Sequence, residues 1–338
     1  MGILNSVFRL AGNWAAPGGQ DARLTILFYH RVLPSPDPLL HDVPDARDFD
    51  AHMRALSEVF RTFSLDEALE RLAAGTLPAR SACVTFDDGY RDNFEVACPI
   101  LKRYRIPATF YIASDFLDQG RMFNDTVIES MRRLPNGAVD LQWIGLGTPN
   151  VQCPQSRAEL ARKFIHTVKY FSAEERLAAC EHLQSLITEP LPTTLMMSSD
   201  HVRALVDEGM TVGGHTCSHP ILAKVSDETA WKEINDNRER LTSLLGFAPR
   251  HFAYPNGRPG IDFHAGHIEM IRRAGYTSAV TTACGVGTPK SDLYQLPRIA
   301  PWHRDGTRLC MSLLRNALKY NDPLSIGSPS SIASCAKP

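Results

Sequence analysis

The sequence predicts an α/β protein built as a parallel β/α barrel. Short runs rich in β-branched and aromatic residues alternate with longer tracts of helical periodicity. Two of the short runs lead directly into residues able to do chemistry, Thr85-Phe86-Asp87-Asp88-Gly89 and His215-Thr216-Cys217-Ser218-His219. Barrels of this class carry their chemistry at the C-terminal ends of strands, where both motifs fall. At 338 residues the chain can bury a core sufficient for one barrel or for two smaller domains.

Residues 1–23 form a lead-in in which Arg9 interrupts an apolar run too short for a secretory signal. A disordered start is the expectation there; the alternative is a short amphipathic lead-in that touches other protein or a membrane surface. Leu24 to His30 reads as the first strand, followed by a Pro/Asp-rich loop over 34–48. Phe49, Met53, Leu56 and Phe60 repeat at helical spacing, and Ser64-Leu65-Asp66-Glu67 is a capping box for a helix stopping at Gly75. Ala82 to Phe86 is the second main strand, Glu95 to Tyr104 a helix, and Ala108 to Ala113 a strand. The rhythm resumes after Asp200 with a helix closed by Gly209, a strand over 210–213, and a helix over 227–245 stopped by Gly246. A strand at 252–254, a helix at 262–274, and strands at 276–282 and 295–299 complete it. Between the halves, about 118–192, helical tracts near 126–134 and 157–187 flank a Gly/Pro loop over 145–154. This reads as a helical insertion on a barrel that spans 24–320. Ser, Pro, Ala and Gly enrichment over 321–338 predicts a disordered tail.

Net charge is −1 with no basic run, which argues against a nucleic-acid partner. No apolar stretch reaches membrane-spanning length. The eight cysteines form no CxxC pair, and buried free thiols in a reducing compartment are expected. With no clear signal peptide, a cytoplasmic enzyme is expected, with association to a membrane as the variant of that reading.

Either motif alone has an ordinary explanation. Asp-Asp-Gly is a common turn, and paired histidines recur by chance. Gly213-Gly214 before the histidines and Pro220 after them resist helix, so the pair leaves a strand into a loop. Together the motifs supply one carboxylate and two imidazoles for a metal, with a coordination position left for water. The second carboxylate is then available as the base. Two like charges do not both point freely at one cation, so the roles divide.

These segments resemble the polysaccharide deacetylases of the NodB-homology type, carbohydrate esterase family 4. The matching residues are Thr85-Phe86-Asp87-Asp88-Gly89-Tyr90, His215-Thr216-Cys217-Ser218-His219-Pro220 and Phe252-Ala253-Tyr254-Pro255-Asn256-Gly257. The resemblance covers about 24–302. It implies a distorted (β/α)7 barrel that hydrolyses the N-acetyl, or sometimes O-acetyl, group of a saccharide. It also implies Asp87 as base, and Asp88, His215 and His219 as ligands of a divalent metal: zinc, or cobalt, nickel or manganese. The Tyr254 backbone N–H would bind the oxyanion. Two departures stand out. Ala253 replaces the usual arginine, and no late histidine matches the usual general acid. Phe28-Tyr29-His30-Arg31 and Leu296-Pro297-Arg298 instead resemble an exopolysaccharide subgroup that includes poly-β-1,6-N-acetylglucosamine deacetylases. There the acid comes from the first strand, which matches His30, and Arg298 would orient Asp87. A strand-end histidine is also an ordinary core residue, although its position favours the catalytic role.

Trp302 either stacks on a sugar ring or plugs the core. Asn124 and Asp125, at the start of the insertion, are candidate substrate contacts. His251, His264, His267 and His303 are expected to be structural or surface residues. The acetylated saccharide is the expected partner, and nothing in the sequence sets an oligomeric state. Two other functions fit less well: hydrolysis of a small non-peptide amide by the same site, and carbohydrate binding after loss of catalysis. The intact set Asp87, Asp88, His215 and His219 counts against the latter.

Overall fold

The computed structural model describes residues 3–319, so the expected tail over 321–338 lies outside the described residues. Six parallel strands form the central sheet: β1 (Thr25–Tyr29), β2 (Ser81–Phe86), β3 (Ala108–Ile112), β4 (Thr211–Gly214), β5 (His251–Ala253) and β6 (Ser278–Val280). They pair in chain order, with Tyr29 beside Phe86, Phe86 beside Phe110, and Gly214 beside Phe252. A two-residue strand, Arg61–Thr62, adds to the start of β2. All six residues of β2 and all five of β3 are buried. Barrel interior on one face and helices on the other account for their unbroken apolar character.

The expected last strand is a closing segment rather than a regular strand. Leu296 bridges to Val280 of β6 and Ile299 bridges to Leu27 of β1, both in parallel sense. Pro297 lacks an N–H and prevents a continuous ladder, yet the two bridges join the sheet edges into a distorted barrel.

The helices are α1 (Ile3–Ala15), α2 (Ala46–Val59), α3 (Leu65–Ala73), α4 (Cys98–Tyr104), α5 (Phe123–Arg133), α6 (Pro154–Val168), α7 (Ala173–Ser185), α8 (Ser199–Asp207), α9 (Asp227–Leu245), α10 (Ala265–Ala274) and α11 (Gly306–Lys319). Ser64 caps α3 by accepting from Glu67 N–H, as the sequence predicted. α9 ends at Gly246, whose φ of 79° suits glycine.

Several expectations change. The start of the chain is helical: Phe8 packs on the core, Ala15 is buried, and Arg9 Nε donates to the Glu58 carbonyl at 2.7 Å. The long helical tract of the insertion is two helices, broken where Ser172 caps α7 through a reciprocal box with Glu175. The Gly/Pro loop contributes to a small hairpin in which Asn150–Val151 pairs antiparallel with Gly137–Ala138. Pro99 cannot donate an intrahelical bond, so α4 starts late, behind a π-helical turn over Asn93–Ala97. α10 starts at Ala265 because Asp262 is turned inward, accepting from Arg258 N–H and Nε at 3.0 Å each. α11 was not anticipated. Among the cysteines, Cys83, Cys98, Cys180, Cys217 and Cys310 are buried free thiols, whereas Cys153 is exposed and Cys284 is disulfide-bonded.

The insertion helices α5–α7 enclose their own apolar cluster, with Met131, Phe164 and Leu183 fully buried. Tyr170, between α6 and α7, receives a hydrogen bond from Arg258 on the loop after β5. Among the described residues no helix is long and apolar enough to cross a membrane.

Candidate active site

β2 delivers the two carboxylates. Asp87 N–H still donates to the Tyr29 carbonyl at 2.9 Å, so its backbone is held by β1. Asp88 and Gly89 then turn with φ of 77° and 91°. The left-handed region is costly for most residues, but aspartate tolerates it and glycine adopts it freely. The turn aims the adjacent carboxylates at different partners.

Asp87 receives a two-pronged bond from Arg298, Nη1 to Oδ1 at 2.8 Å and Nη2 to Oδ2 at 2.7 Å. The guanidinium is fully buried, 0% exposed. It also donates through Nε to the Thr281 carbonyl at 2.9 Å and through Nη1 to Thr85 Oγ1 at 3.1 Å. Its flat face lies 4.5 Å over the Phe28 ring. Burial alone would raise the Asp87 pKa, but the charge and hydrogen bonds of Arg298 hold it below the usual carboxylate range. Asp87 is therefore ionised and fixed in orientation.

Asp88 faces the histidines. Its Oδ1 lies 3.4 Å from His215 Nε2 and 3.5 Å from His219 Nε2. The same oxygen is buried with no hydrogen-bond partner. His215 Nδ1 sits 2.7 Å from the Ala253 carbonyl, an acceptor only, so that nitrogen carries the proton. In the neutral ring the lone pair is left on Nε2, pointing at Asp88; burial opposes protonation there, but the Asp88 and Asp87 carboxylates outweigh it and raise the His215 pKa. Burial pushes His219 down to about 3, with the charges of His215 and His30 adding to the effect, so its ring is neutral near pH 7. Three ligand atoms from Asp88, His215 and His219 lie within 4.8 Å of one another. An orphaned buried carboxylate oxygen and two imidazole lone pairs suit a divalent transition metal such as zinc.

The histidine loop is shaped from both sides. A Cβ on Gly213 would stand 2.5 Å from the Tyr111 ring, and one on Gly214 would collide with the Tyr276 hydroxyl, so only glycine fits. From α9, Asn237 Oδ1 accepts from His215 N–H at 3.2 Å while its Nδ2 donates to the Thr216 carbonyl at 2.6 Å. One turn earlier, Glu233 accepts from Cys217 N–H and Ser218 N–H, each at 2.8 Å. Sequence reasoning missed both residues. Their i, i+4 spacing on a polar helix face was the available signal, and it does not distinguish them from solvated residues.

His30 is exposed at the end of β1, with its ring edge-on to Phe28 at 5.7 Å between centroids. Tyr29 pairs with Phe86, so His30 and Asp87 leave adjacent strands side by side. Tyr254 departs from expectation. Its N–H donates to the Val280 carbonyl at 3.3 Å, and its ring is stacked on Phe263. Two residues on, Asn256 turns with φ of 58°, and among the described residues its N–H has no acceptor.

Asp125 also departs, being buried behind Tyr90, whose hydroxyl lies 3.1 Å from both of its oxygens. Asn124 Nδ2 donates to that hydroxyl at 3.2 Å. Arg31 lies 4.7 Å over the Tyr90 ring and donates to Asp92 Oδ2 at 2.8 Å. Both expected substrate contacts are thus used to brace the loop that carries Asp87 and Asp88. Burial raises the Asp125 pKa to about 7, against the pull of Arg31. Trp302 does not plug the core. It is 49% exposed and lines a cavity of about 200 Å³ with His41, His52 and His303.

A second cluster joins Asp227, His264 and His267. His264 Nδ1 accepts from Gly266 N–H at 3.2 Å, and His267 Nδ1 accepts from His264 N–H at 3.1 Å. In a neutral ring that accepts at Nδ1, the proton is on Nε2. These rings serve the start of α10 and offer no second lone pair.

A curled parallel sheet with an Asp-His-His cluster and a braced second aspartate at its strand ends defines a class of barrel hydrolase. The chain belongs to the polysaccharide deacetylase family, whose family model matches residues 74–279. YxkH of Bacillus subtilis (strain 168), named for the same family, is 38% identical over 282 residues, covering 83% of this chain and 72% of that protein. The poly-β-1,6-N-acetyl-D-glucosamine N-deacetylase of Staphylococcus aureus (strain N315) is 22% identical over 236 residues, covering 70% of this chain and 59% of that protein. The fold is similar to that of the Streptococcus pyogenes deacetylase PplD, solved with acetate, at a TM-score of 0.59 and 19% identity, covering 87% of this chain and 98% of that one.

Proposed function

We propose that this enzyme removes N-acetyl groups from an amino-sugar polymer of the exopolysaccharide type, as a metal-dependent hydrolase. The observation that carries the reading is the bidentate Arg298–Asp87 pair set next to an Asp88–His215–His219 cluster with an unpartnered carboxylate oxygen. The matches at His30 and Arg298 and the likeness to the staphylococcal N-deacetylase support the exopolysaccharide assignment.

Asp88, His215 and His219 would hold the metal, which when bound supplies Lewis acidity to the water and the acyl oxygen. Asp87, held ionised by Arg298, takes the proton from the attacking water. Its two bonds to Arg298 leave the remaining lone pairs for that proton and stop the carboxylate from swinging toward the cation. His30, exposed at the rim, gives a proton to the leaving nitrogen. The oxyanion donor passes from Tyr254, whose N–H bonds the Val280 carbonyl, to Asn256, whose N–H meets no acceptor among the described residues.

Acetate release tests the reading, measured on a panel of N- and O-acetylated oligosaccharides with chelated protein and with zinc or cobalt restored. Release from N-acetylated β-1,6-linked glucosamine oligomers, only after metal is restored, is expected. Binding of those oligomers without turnover would instead indicate a carbohydrate-binding protein. Asp87→Asn should keep its fold and metal while losing about two or more orders of magnitude in rate.

A further inference from the structure

α1 and α11 lie side by side and run parallel. Phe8 shares a crevice with Thr307 and Cys310, and Gly12 sits against Leu314. Arg23 then donates to the last-turn carbonyls of both helices, Ala15 at 2.7 Å and Ala317 at 3.0 Å. Each helix buries one face against the protein and leaves the other uncovered by the described residues. On α1 the uncovered stripe is Val7, Leu10 and Trp14, at i, i+3 and i+7, exposed by 54%, 73% and 76%. Leu10 and Trp14 are the two most exposed large apolar side chains among the described residues. On α11 the exposed stripe is Arg308, Met311, Arg315 and Leu318, which fall on one side of the helix opposite the buried Leu309, Leu313 and Ala317.

Charge identifies what covers this face. α11 exposes Arg308 and Arg315, and neither helix contains an aspartate or glutamate. The chain as a whole has a net charge of −1, so the helix pair is a cationic region on a near-neutral protein. A second copy docked about a two-fold axis would set cations against cations with no carboxylate from either helix to meet them. An anionic bilayer satisfies both halves of the face. Leucine, valine and tryptophan side chains enter the boundary between headgroups and acyl chains, and the cations meet lipid phosphates. Tryptophan is the residue type favoured at that depth.

We propose that the outer face of the α1–α11 pair is a docking surface for an anionic phospholipid bilayer, made of Val7, Leu10 and Trp14 together with the cations of α11. The inference is independent of the reaction at the strand ends.

Co-sedimentation of the full chain with vesicles tests it, using phosphatidylcholine alone and phosphatidylcholine mixed with phosphatidylglycerol. The wild type is expected to bind the anionic vesicles at least about tenfold more tightly than the neutral ones, and to be released by salt. Leu10→Glu/Trp14→Glu and Arg308→Glu/Arg315→Glu should each weaken binding about tenfold or more while keeping the wild-type circular dichroism and Tm. All four positions are exposed, and the two pairs probe the apolar and charged halves separately. Indifference to phosphatidylglycerol, or wild-type binding by both variants, would overturn the proposal. So would a dimer in sedimentation equilibrium that the variants abolish, with no vesicle binding.

Discussion

The protein contains two groupings of one aspartate and two histidines, and they behave differently. Asp88, His215 and His219 lie at the ends of β2 and β4, buried or nearly so. Asp227, His264 and His267 lie at the starts of α9 and α10, with only His267 buried. In the first, His215 spends its Nδ1 proton on a carbonyl and keeps a lone pair turned inward. In the second, backbone N–H groups occupy both Nδ1 atoms, and the proton is forced onto Nε2. Residue types and spacing are similar. Which backbone group each ring meets decides whether it can act as a ligand.

The largest expected effect breaks the first cluster. His215→Ala should lower metal content from about one ion per chain to near zero and abolish acetate release. Full occupancy by metal analysis of the purified variant would show that the ligand assignment is wrong.

His30→Ala should slow amide hydrolysis by about two orders of magnitude or more, because the leaving amine needs a proton. Activated esters, whose leaving groups need none, should be slowed far less. Equal losses on both substrates would assign His30 to substrate binding.

A smaller effect is expected from Arg298→Lys, which keeps the charge and loses the fork. Arg298 holds the Asp87 pKa down, so weakening the pair raises that pKa. The base then becomes protonated at a higher pH, and the acid limb of the rate profile should move upward. An unchanged limb would mean that another group sets it.

The smallest effect belongs to the second cluster. His264→Ala should leave metal content and turnover unchanged and cost about 1 kcal/mol or less, the scale of a lost helix cap. A drop in metal content by one ion would make the two clusters equivalent and would refute the tautomer argument.

How much was readable in the sequence follows the same physics. Asp87, Asp88, His215 and His219 were legible because chemistry-bearing residues directly followed apolar runs. The capped helices α3 and α9 were legible because serine and glycine mark helix ends locally. Arg298 was legible through a motif, but its full burial against Asp87 depends on a contact spanning most of the chain. Asp125 read as a substrate contact because its cover, Tyr90, comes from a distant segment. Tyr254 failed for a related reason, since whether a backbone N–H is free depends on the neighbouring strand. α1 was misjudged because its packing partners, α11 and α2, are invisible to a local reading.

The segment that closes the barrel is also the one that carries Arg298. β1, at 25–29, is synthesised long before its neighbour Ile299. A growing chain can assemble β1 through β6 and bring Asp88, His215 and His219 together while Asp87 still lacks its guanidinium. Loop closure over that separation is slow as well as late. Completion of the barrel and orientation of the Asp87 carboxylate are therefore one event in the life of the molecule. A chain cut short before Arg298 would carry the proposed metal ligands without an oriented Asp87.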